Sequence, residues 1–469
     1  MRSYVVEALI VVDLILLAYF LAINTIYLVF SVVAYGHLRQ HRKRWTAREL
    51  GAVMRSPATP GISVLVPACN EAANVVESVR SLLFLNYPQY EVIVVNDGST
   101  DETLAVLVDE FDLLRAPVTY KHVVQTKQVR AVYRSISGLE LVVIDKLNGG
   151  KADAINAGLN AARHELICVL DADSVLEEHS LTRAVLPFIE SPHTVAVGGI
   201  VRLANGCRLD HGRVIDIGLP KSHLARFQVI EYLRAFLAGR VALSMVNGLM
   251  IISGAFGVFS RRAVIEVGGF RQDTVGEDME LVAKLHHHFR TKRQPYRIVF
   301  QPDPVCWTEV PESLSILARQ RDRWQRGTLQ VLSFHWRMVG NPRYGILGMV
   351  VLPYYVLFEG IGPIIELAGY VLTILAVYFG LVNWVFAELL FLAAVVYGAM
   401  ISLASVILEE VSFRRYPRLS DLLWLALYGV LENFGYRQLS TWWRVRGVFR
   451  FLRGNQEWGK MKRKGFQTA

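Results

Sequence analysis

Three long apolar blocks constrain this chain more than any other feature. Residues 5–35 are almost uninterrupted, residues 344–408 are mostly apolar, and a third block covers residues 422–443. About 20 residues at 1.5 Å rise cross the roughly 30 Å hydrocarbon core of a bilayer, so each block is long enough to span. Hydrophobic residues make up 53% of the 469, more than in an ordinary soluble globule, and the surplus sits in these blocks. The sequence reads as an integral membrane protein. A cleaved signal peptide is the rival for the first block, but the stretch is too long and no small-x-small site succeeds it. The basic "HLRQHRKRW" (37–45) comes next in the chain, so the positive-inside rule puts the N-terminus outside and the next segment in the cytosol. The same rule makes "FRRYPR" (413–418) and "WGKMKRKGF" (458–466) cytosolic. One unbroken span in the third block would leave that tail outside. Either the block is broken or re-entrant, or residues 344–360 belong to an extra crossing; four crossings are expected.

Between the first two blocks lies a cytosolic stretch of about 300 residues, the size of a large single domain. "ISVLVPA" (62–68), "EVIVV" (91–95), "LELVVID" (139–145) and "ELICVLDAD" (165–173) read as buried strands. Helical segments separate them, one of them predicted over 71–83, so βαβ units and a parallel sheet covered on both faces are expected. Ser99 and Glu102 have the spacing of a capping box for the helix after the second strand. In such sheets ligands bind beyond the carboxyl ends of the strands. The polar residues there are Asp97, then Lys151 and Asp153 just inside a helix, then Asp171 and Asp173. Four carboxylates and one lysine on one rim make a nucleotide-type site, without a dinucleotide or P-loop fingerprint. The four cysteines form no C-x-x-C pair and read as small buried hydrophobes. The net charge of +9 suits lipid headgroups or a phosphate-bearing substrate; its Lys and Arg flank membrane blocks, which speaks against nucleic acid.

Each feature has a plainer reading beside it. Two carboxylates about 4 Å apart repel by roughly 4 kcal/mol at an effective dielectric near 20. Asp171-Ala-Asp173, projecting to one side of an extended segment, would be relieved by one hard cation, Mg²⁺ or Mn²⁺; alternatively, one Asp caps a helix. Asp97 in "NDGST" also suits a turn, and Asp153 a helix start. Asp278 in "GED" stands where a general base could accept a proton, or where an acid merely complements a helix dipole. "HHH" (286–288) reads as an exposed cluster, because consecutive helical residues point apart. In "NGLMIISGAFGVFSR" (247–261), Gly254 and its small neighbours admit a ligand or a packed helix. Gln320, Arg323 and Trp324 of "QRDRW" share one helix face, suited to sugar and phosphate or to the membrane surface. Glu359, Glu366 and Glu432 lie in or beside apolar blocks, as functional groups facing a hydrated path or as interfacial ones.

With "VVNDGST", "NGGKADAINAGL", "DAD", "GED" and "QRDRW" in that order, residues 62–327 resemble the membrane-integrated, processive family 2 glycosyltransferases. Cellulose, hyaluronan and poly-N-acetylglucosamine synthases are familiar members. The resemblance implies an α/β GT-A fold (Rossmann-like, mostly parallel sheet) in the cytosol, joined to an α-helical transmembrane region. It implies Asp97 and Asp153 at the uridine, Lys151 near the uracil or diphosphate, and Asp171 and Asp173 at nucleotide and metal. Asp278 would be the catalytic base, with Gln320, Arg323 and Trp324 at the acceptor and diphosphate. The gating-loop motif Phe-x-Val-Thr-x-Lys is not visible, and the tail is too short for a cyclic-di-GMP-binding PilZ domain.

The expected domains are a transmembrane helix (1–38), the GT-A domain (39–312), an amphipathic interfacial helix (313–343), and C-terminal membrane helices with a basic tail (344–469). The expected activity is inverting, metal-dependent transfer from a UDP-sugar, glucose or N-acetylglucosamine, to a growing β-linked polysaccharide at the inner cell membrane. Export would accompany it, helped by oligomerisation or a secretion partner. The rivals are single-sugar transfer to a lipid acceptor and an inactive sugar-binding export component.

Overall fold

The computed structural model describes residues 2–41, 47–117, 120–210, 213–416 and 418–454. The basic segment 42–46 and the tail from 455 lie outside the described residues. Two compact units emerge: a sheet unit drawn from His41–Pro220 and Ser244–Val310, and a helical unit drawn from Met1–Gln40, Lys221–Leu243 and Pro311–Lys460. The segment Lys221–Leu243, inside the stretch 39–312, thus belongs with the helices.

Among the described residues the sheet unit has twelve strands: β1 (Ile62–Ala68), β2 (Tyr90–Asp97), β3 (Leu113–Ala116), β4 (Val129–Ser135), β5 (Leu141–Lys146), β6 (Leu166–Leu170), β7 (Ser174–Leu176), β8 (Thr194–Leu203), β9 (Arg208–Asp210), β10 (Arg213–Asp216), β11 (Phe256–Ser260) and β12 (Arg297–Thr308). Ten form one sheet in the order β3-β4-β5-β2-β1-β6-β11-β8-β12-β7. The run β5-β2-β1-β6 is parallel and almost wholly buried. Strands buried on both faces need apolar side chains at nearly every position, which is why they stand out in the sequence. The sheet is nevertheless mixed. β3, β4, β7 and β11 pair antiparallel with their neighbours. β3 and β4 carry no continuous apolar run: the edge position of β3 leaves residues such as Leu114 exposed, and β4 beside it is only partly buried.

Three local expectations are corrected. The helix expected over 71–83 begins at Val75. Glu102 makes no side-chain cap to the helix Thr103–Glu110; instead Asp101 accepts from the Thr103 N–H at 3.0 Å, and the Ser99 hydroxyl accepts from the Asn70 N–H. The histidine tract is exposed only in part: His287 is exposed and His288 half-buried, but the first histidine is neither. His286 is fully buried, held by the Tyr296 hydroxyl at 2.7 Å and the Leu249 carbonyl at 2.9 Å. Burial pushes its pKa down to about 4.

The helical unit makes this a membrane protein. Two helices are long and apolar enough to cross a bilayer, Leu9–Gln40 and Trp384–Ser412. Leu347–Gly360 and Gly362–Tyr378 make a third if the pair, bent by 41°, is one span. The count among the described residues is therefore two or three, where four crossings are expected. The third apolar block is broken, as one of the two alternatives requires: a short apolar helix, Leu419–Leu431, ends before the separate helix Tyr436–Leu452. Its glutamates are partnered. Glu432 is fully buried between Arg234 at 2.5 Å and Arg437 at 2.8 Å. Glu359 pairs with Arg444 at 2.9 Å, and Glu366 accepts from the Thr441 hydroxyl at 2.8 Å.

Candidate active site

The parallel register of β2 and β5 sets Asp97 beside Lys146. The Lys146 ammonium is fully buried and lies 2.5 Å from Asp97 Oδ1 and 2.5 Å from Asp153 Oδ2. Asp97 also accepts from the backbone N–H groups of Gly149 (3.0 Å) and Gly150 (2.8 Å). Asp153 accepts from the Lys127 N–H at 3.0 Å. Both carboxylates are buried. Desolvated charges persist only when paired and hydrogen-bonded, and this cluster meets that condition inside the protein. It ties the end of β2 to the glycine turn from which the helix Lys151–Ala161 starts.

A second cluster opens from that helix start. Lys151 Nζ is 2.5 Å from Asp171 Oδ1 at the end of β6 and 3.6 Å from Glu277 Oε1. It also donates to the Gly254 carbonyl at 3.4 Å. The Gly254 N–H in turn donates to Asp278 Oδ2 at 3.1 Å, and Asp278 Oδ1 accepts from the Met279 N–H at 2.8 Å. A Cβ at position 254 would stand 2.7 Å from Lys151 Nζ and 3.6 Å from Asp278 Oδ2. Glycine there lets the ammonium and the carboxylate approach the same peptide from neighbouring sides. Burial pushes the Lys151 pKa down, but the carboxylates of Asp171, Glu277 and Asp278 outweigh it, and the value lies above that of an ordinary lysine. The ammonium stays charged. Glu277, Asp278 and Glu280 occupy the first turn of Glu277–Thr291, where the helix dipole favours carboxylates.

Asp171 and Asp173 flank a turn rather than an extended segment, with the Ser174 N–H donating to the Asp171 carbonyl at 3.0 Å. The Asp171 side chain is 27% exposed, whereas Asp173 is buried. Among the described residues no group of three or more His, Cys, Asp or Glu side chains converges as a metal site. Two carboxylates with one of them open still fit Mg²⁺ or Mn²⁺, which take one or two protein carboxylates and leave the other positions to substrate phosphates.

The fold has a solved counterpart. A mannosyltransferase from Pyrobaculum calidifontis, in complex with GDP-Man and Mn²⁺, superposes with a TM-score of 0.50 over 92% of this chain and 98% of its own, at 18% identity. That likeness is one of fold, a GT-A-like α/β domain with apolar helices. The description of glycosyl transferase family 2 matches residues 63–267, and that of glycosyl transferase family group 2 matches residues 166–406. The chain belongs to glycosyltransferase family 2. Among curated relatives, the chain is 29% identical over 272 residues to the poly-beta-1,6-N-acetyl-D-glucosamine synthase of Staphylococcus epidermidis. It is 28% identical over 273 residues to the enzyme of that name from Staphylococcus aureus. The matches cover 58% of this chain and 55% of each relative, so the chain spans about half the length of the curated relatives it matches.

Of the residues singled out in the sequence, Asp97, Lys151, Asp153, Asp171, Asp173 and Asp278 all lie in the sheet unit. Lys151, Asp171 and Asp278 are brought together around Gly254, while Asp97 and Asp153 share the deeper cluster. Gln320, Arg323 and Trp324 stand in the helical unit on the helix Leu314–Phe334. Gln320 and Arg323 are half-buried and Trp324 is 42% exposed, with the Arg321 guanidinium 4.3 Å from its ring centroid. Two participants escape sequence reasoning. Lys146 closes a buried strand, and only its register with Asp97 reveals it. Glu277 reads as one more acid of a helix start until its distance to Lys151 is known.

Proposed function

We propose that this transferase moves a sugar from a UDP-sugar to the end of a growing β-linked polysaccharide, with inversion, at the cytosolic face of the cell membrane. In this reading residues 39–312 are the catalytic domain, 313–343 an interfacial helix, and the flanking apolar segments the anchor. The observation that carries it is the arrangement around Gly254: a charged lysine paired with Asp171 on one side and the Asp278 carboxylate on the other. Asp278 accepts the proton of the acceptor hydroxyl while that oxygen bonds to the sugar's anomeric carbon. The bond from that carbon to the diphosphate breaks, and its electron pair leaves with the diphosphate. Lys151 supplies positive charge where the leaving group accumulates negative charge. Asp171 and Asp173 would hold a divalent cation, whose charge offsets the rest. One base suffices for a single displacement, unlike the carboxylate pair of glycosidases. Asp97, Lys146 and Asp153 shape the floor against which the uridine rests. Gln320, Arg323 and Trp324 offer an amide, a guanidinium and an indole to the acceptor sugar and the diphosphate.

The curated relatives are named for a polymer of N-acetylglucosamine, so UDP-N-acetylglucosamine is the first donor to offer. UDP-glucose and GDP-mannose are the comparisons. The purified protein in lipid is given each donor with Mg²⁺ or Mn²⁺, and nucleotide release and product length are followed. UDP release with lengthening products is expected, and Asp278→Asn should lower turnover by about 10²–10⁴-fold. Unchanged turnover in that variant overturns the assignment of the base. A second reading, one sugar added to a lipid acceptor, draws on the span count, since the two or three candidate spans among the described residues are few to enclose a polysaccharide path. Products that stop at one sugar would establish it. Export would then need a second copy or a partner only in the polymerase reading.

A further inference from the structure

The helix Leu314–Phe334 carries a carboxylate in the middle of its motif. Asp322 lies two positions from Gln320 and from Trp324 and next to Arg323, yet it points the other way. At 100° per residue it stands on the side of the helix opposite the Gln320, Arg323 and Trp324 face. It is 1% exposed. The Arg326 Nε donates to Asp322 Oδ1 at 2.9 Å. From the helix Tyr436–Leu452, Arg450 Nη1 reaches Asp322 Oδ2 at 3.0 Å and Arg446 Nη2 stands 3.9 Å from the same oxygen. Three guanidinium groups thus surround one carboxylate, two of them from a segment far later in the chain.

The same two helices are joined one turn further on. Gln325 Oε1 accepts from Arg444 Nε at 2.8 Å, and Gln325 Nε2 donates to the Glu359 and Gly360 carbonyls at 2.8 and 3.1 Å. Between the two levels sits Gly447, where a Cβ would fall 2.7 Å from the Asp322 carbonyl oxygen and 2.9 Å from the Gln325 Cβ. The second helix can lie this close only because position 447 has no side chain. Apolar packing of Leu317 and Ala318 against Tyr436 and Trp443 extends the contact toward the helix start.

We propose that Asp322 is a positioning residue: held by Arg450 and Arg446, it fixes the rotation and axial place of the helix whose opposite face presents Gln320, Arg323 and Trp324 to the acceptor. The proposal rests on the acceptor role proposed for that face. Ion pairing of a buried carboxylate to two cations of a second helix resists rotation of the first, because turning would strand the charge, whereas apolar packing alone tolerates rotation. Neutralising it leaves the face chemically intact and lets it turn.

The test uses the full chain in lipid nanodiscs, with UDP-N-acetylglucosamine as donor and a β-1,6-linked N-acetylglucosamine pentamer as acceptor probe. Asp322→Asn is expected to raise the KM for the pentamer at least tenfold while leaving the KM for the donor within twofold. Arg450→Gln, a milder change at a half-exposed residue, should do the same to a smaller extent. The double variant should be no worse than Asp322→Asn, because both remove one constraint. Hydrogen exchange supplies a readout that needs no turnover: amides 320–324 should lose protection at least tenfold in both variants, with β1, β2 and β6 unchanged. An unaltered acceptor KM or unaltered exchange at 320–324 overturns the proposal. So does an equal rise in both KM values, which marks general loosening. Trp324→Ala separates the two readings. If it leaves the acceptor KM unchanged, the acceptor face itself is wrong; if it raises that KM while Asp322→Asn does not, only the positioning role falls.

Discussion

Two charged clusters, built from the same residue types around lysines that stand close together in the chain, Lys146 and Lys151, differ in what surrounds them. Lys146, Asp97 and Asp153 are sealed in the sheet unit, each 3% exposed or less. Lys151, Asp171 and Asp278 keep open edges, and the Lys151 and Asp171 side chains are 16% and 27% exposed. A buried ammonium between two carboxylates is fixed by the cost of leaving any member unpaired. An ammonium at an open rim can exchange a protein carboxylate for a phosphate oxygen. On the function proposed above, solvent access, more than residue identity, separates framework from chemistry.

The sharpest way to break this comparison is to delete each ammonium in turn. Lys146→Met should lower stability by about 3–5 kcal/mol, since it strands two buried carboxylates. Lys151→Met should cut turnover by about 10²–10³-fold, the usual loss on removing one preorganised charge partner, with a much smaller change in melting temperature. Thermal unfolding and donor turnover measured on both variants check this, and equal behaviour would erase the distinction between the clusters.

His286 extends the framework side of the comparison to a group that must stay neutral. Its folded pKa is about 4 against 6.5 for an ordinary histidine. Above pH 6.5 neither state binds the proton and the full stability is present. As pH falls toward 4 the unfolded chain protonates first, so stability is lost, by about 3 kcal/mol at 1.36 kcal/mol per unit. Unfolding measured between pH 7 and 4 should show this slope, and His286→Gln should flatten it.

The smallest effect probes the outer edge of the sealed cluster. Cys69 is exposed while Cys168, Cys207 and Cys306 are buried. Asn148 links it to that cluster, donating to Cys69 Sγ at 3.5 Å and to the Asp97 carbonyl at 2.7 Å. Burial and the neighbouring carboxylates of Asp97, Asp101 and Glu71 raise its pKa. Maleimide should therefore label this cysteine selectively but slowly, faster as pH rises, and UDP should slow the labelling several-fold if the uridine rests beside Asp97. Mass spectrometry of the labelled peptide with and without UDP reads the result.

The apolar blocks and the four parallel strands are legible in the sequence because each is a local pattern; so is the list of acids near the strand ends, but not its division into a sealed and an open cluster. A strand buried on both faces must be apolar throughout, and a bilayer demands about 20 apolar residues in a row. β3 and β4 are not legible, since an edge strand such as β3 carries no such demand and β4 beside it is only partly buried. Nor is the broken third block's role, or the fate of Glu432, whose cations Arg234 and Arg437 come from separate helices.

What the sequence determined alone was the membrane character, the sheet core and the list of acidic and basic residues from which a site could be built. Only the tertiary structure decided which lysine is sealed and which is open, that His286 is interior, and that Asp322 faces away from its own motif toward Arg446 and Arg450. The reason is range. Periodicity acts over neighbouring residues, whereas a charge takes its role from partners and solvent that folding brings from distant parts of the chain.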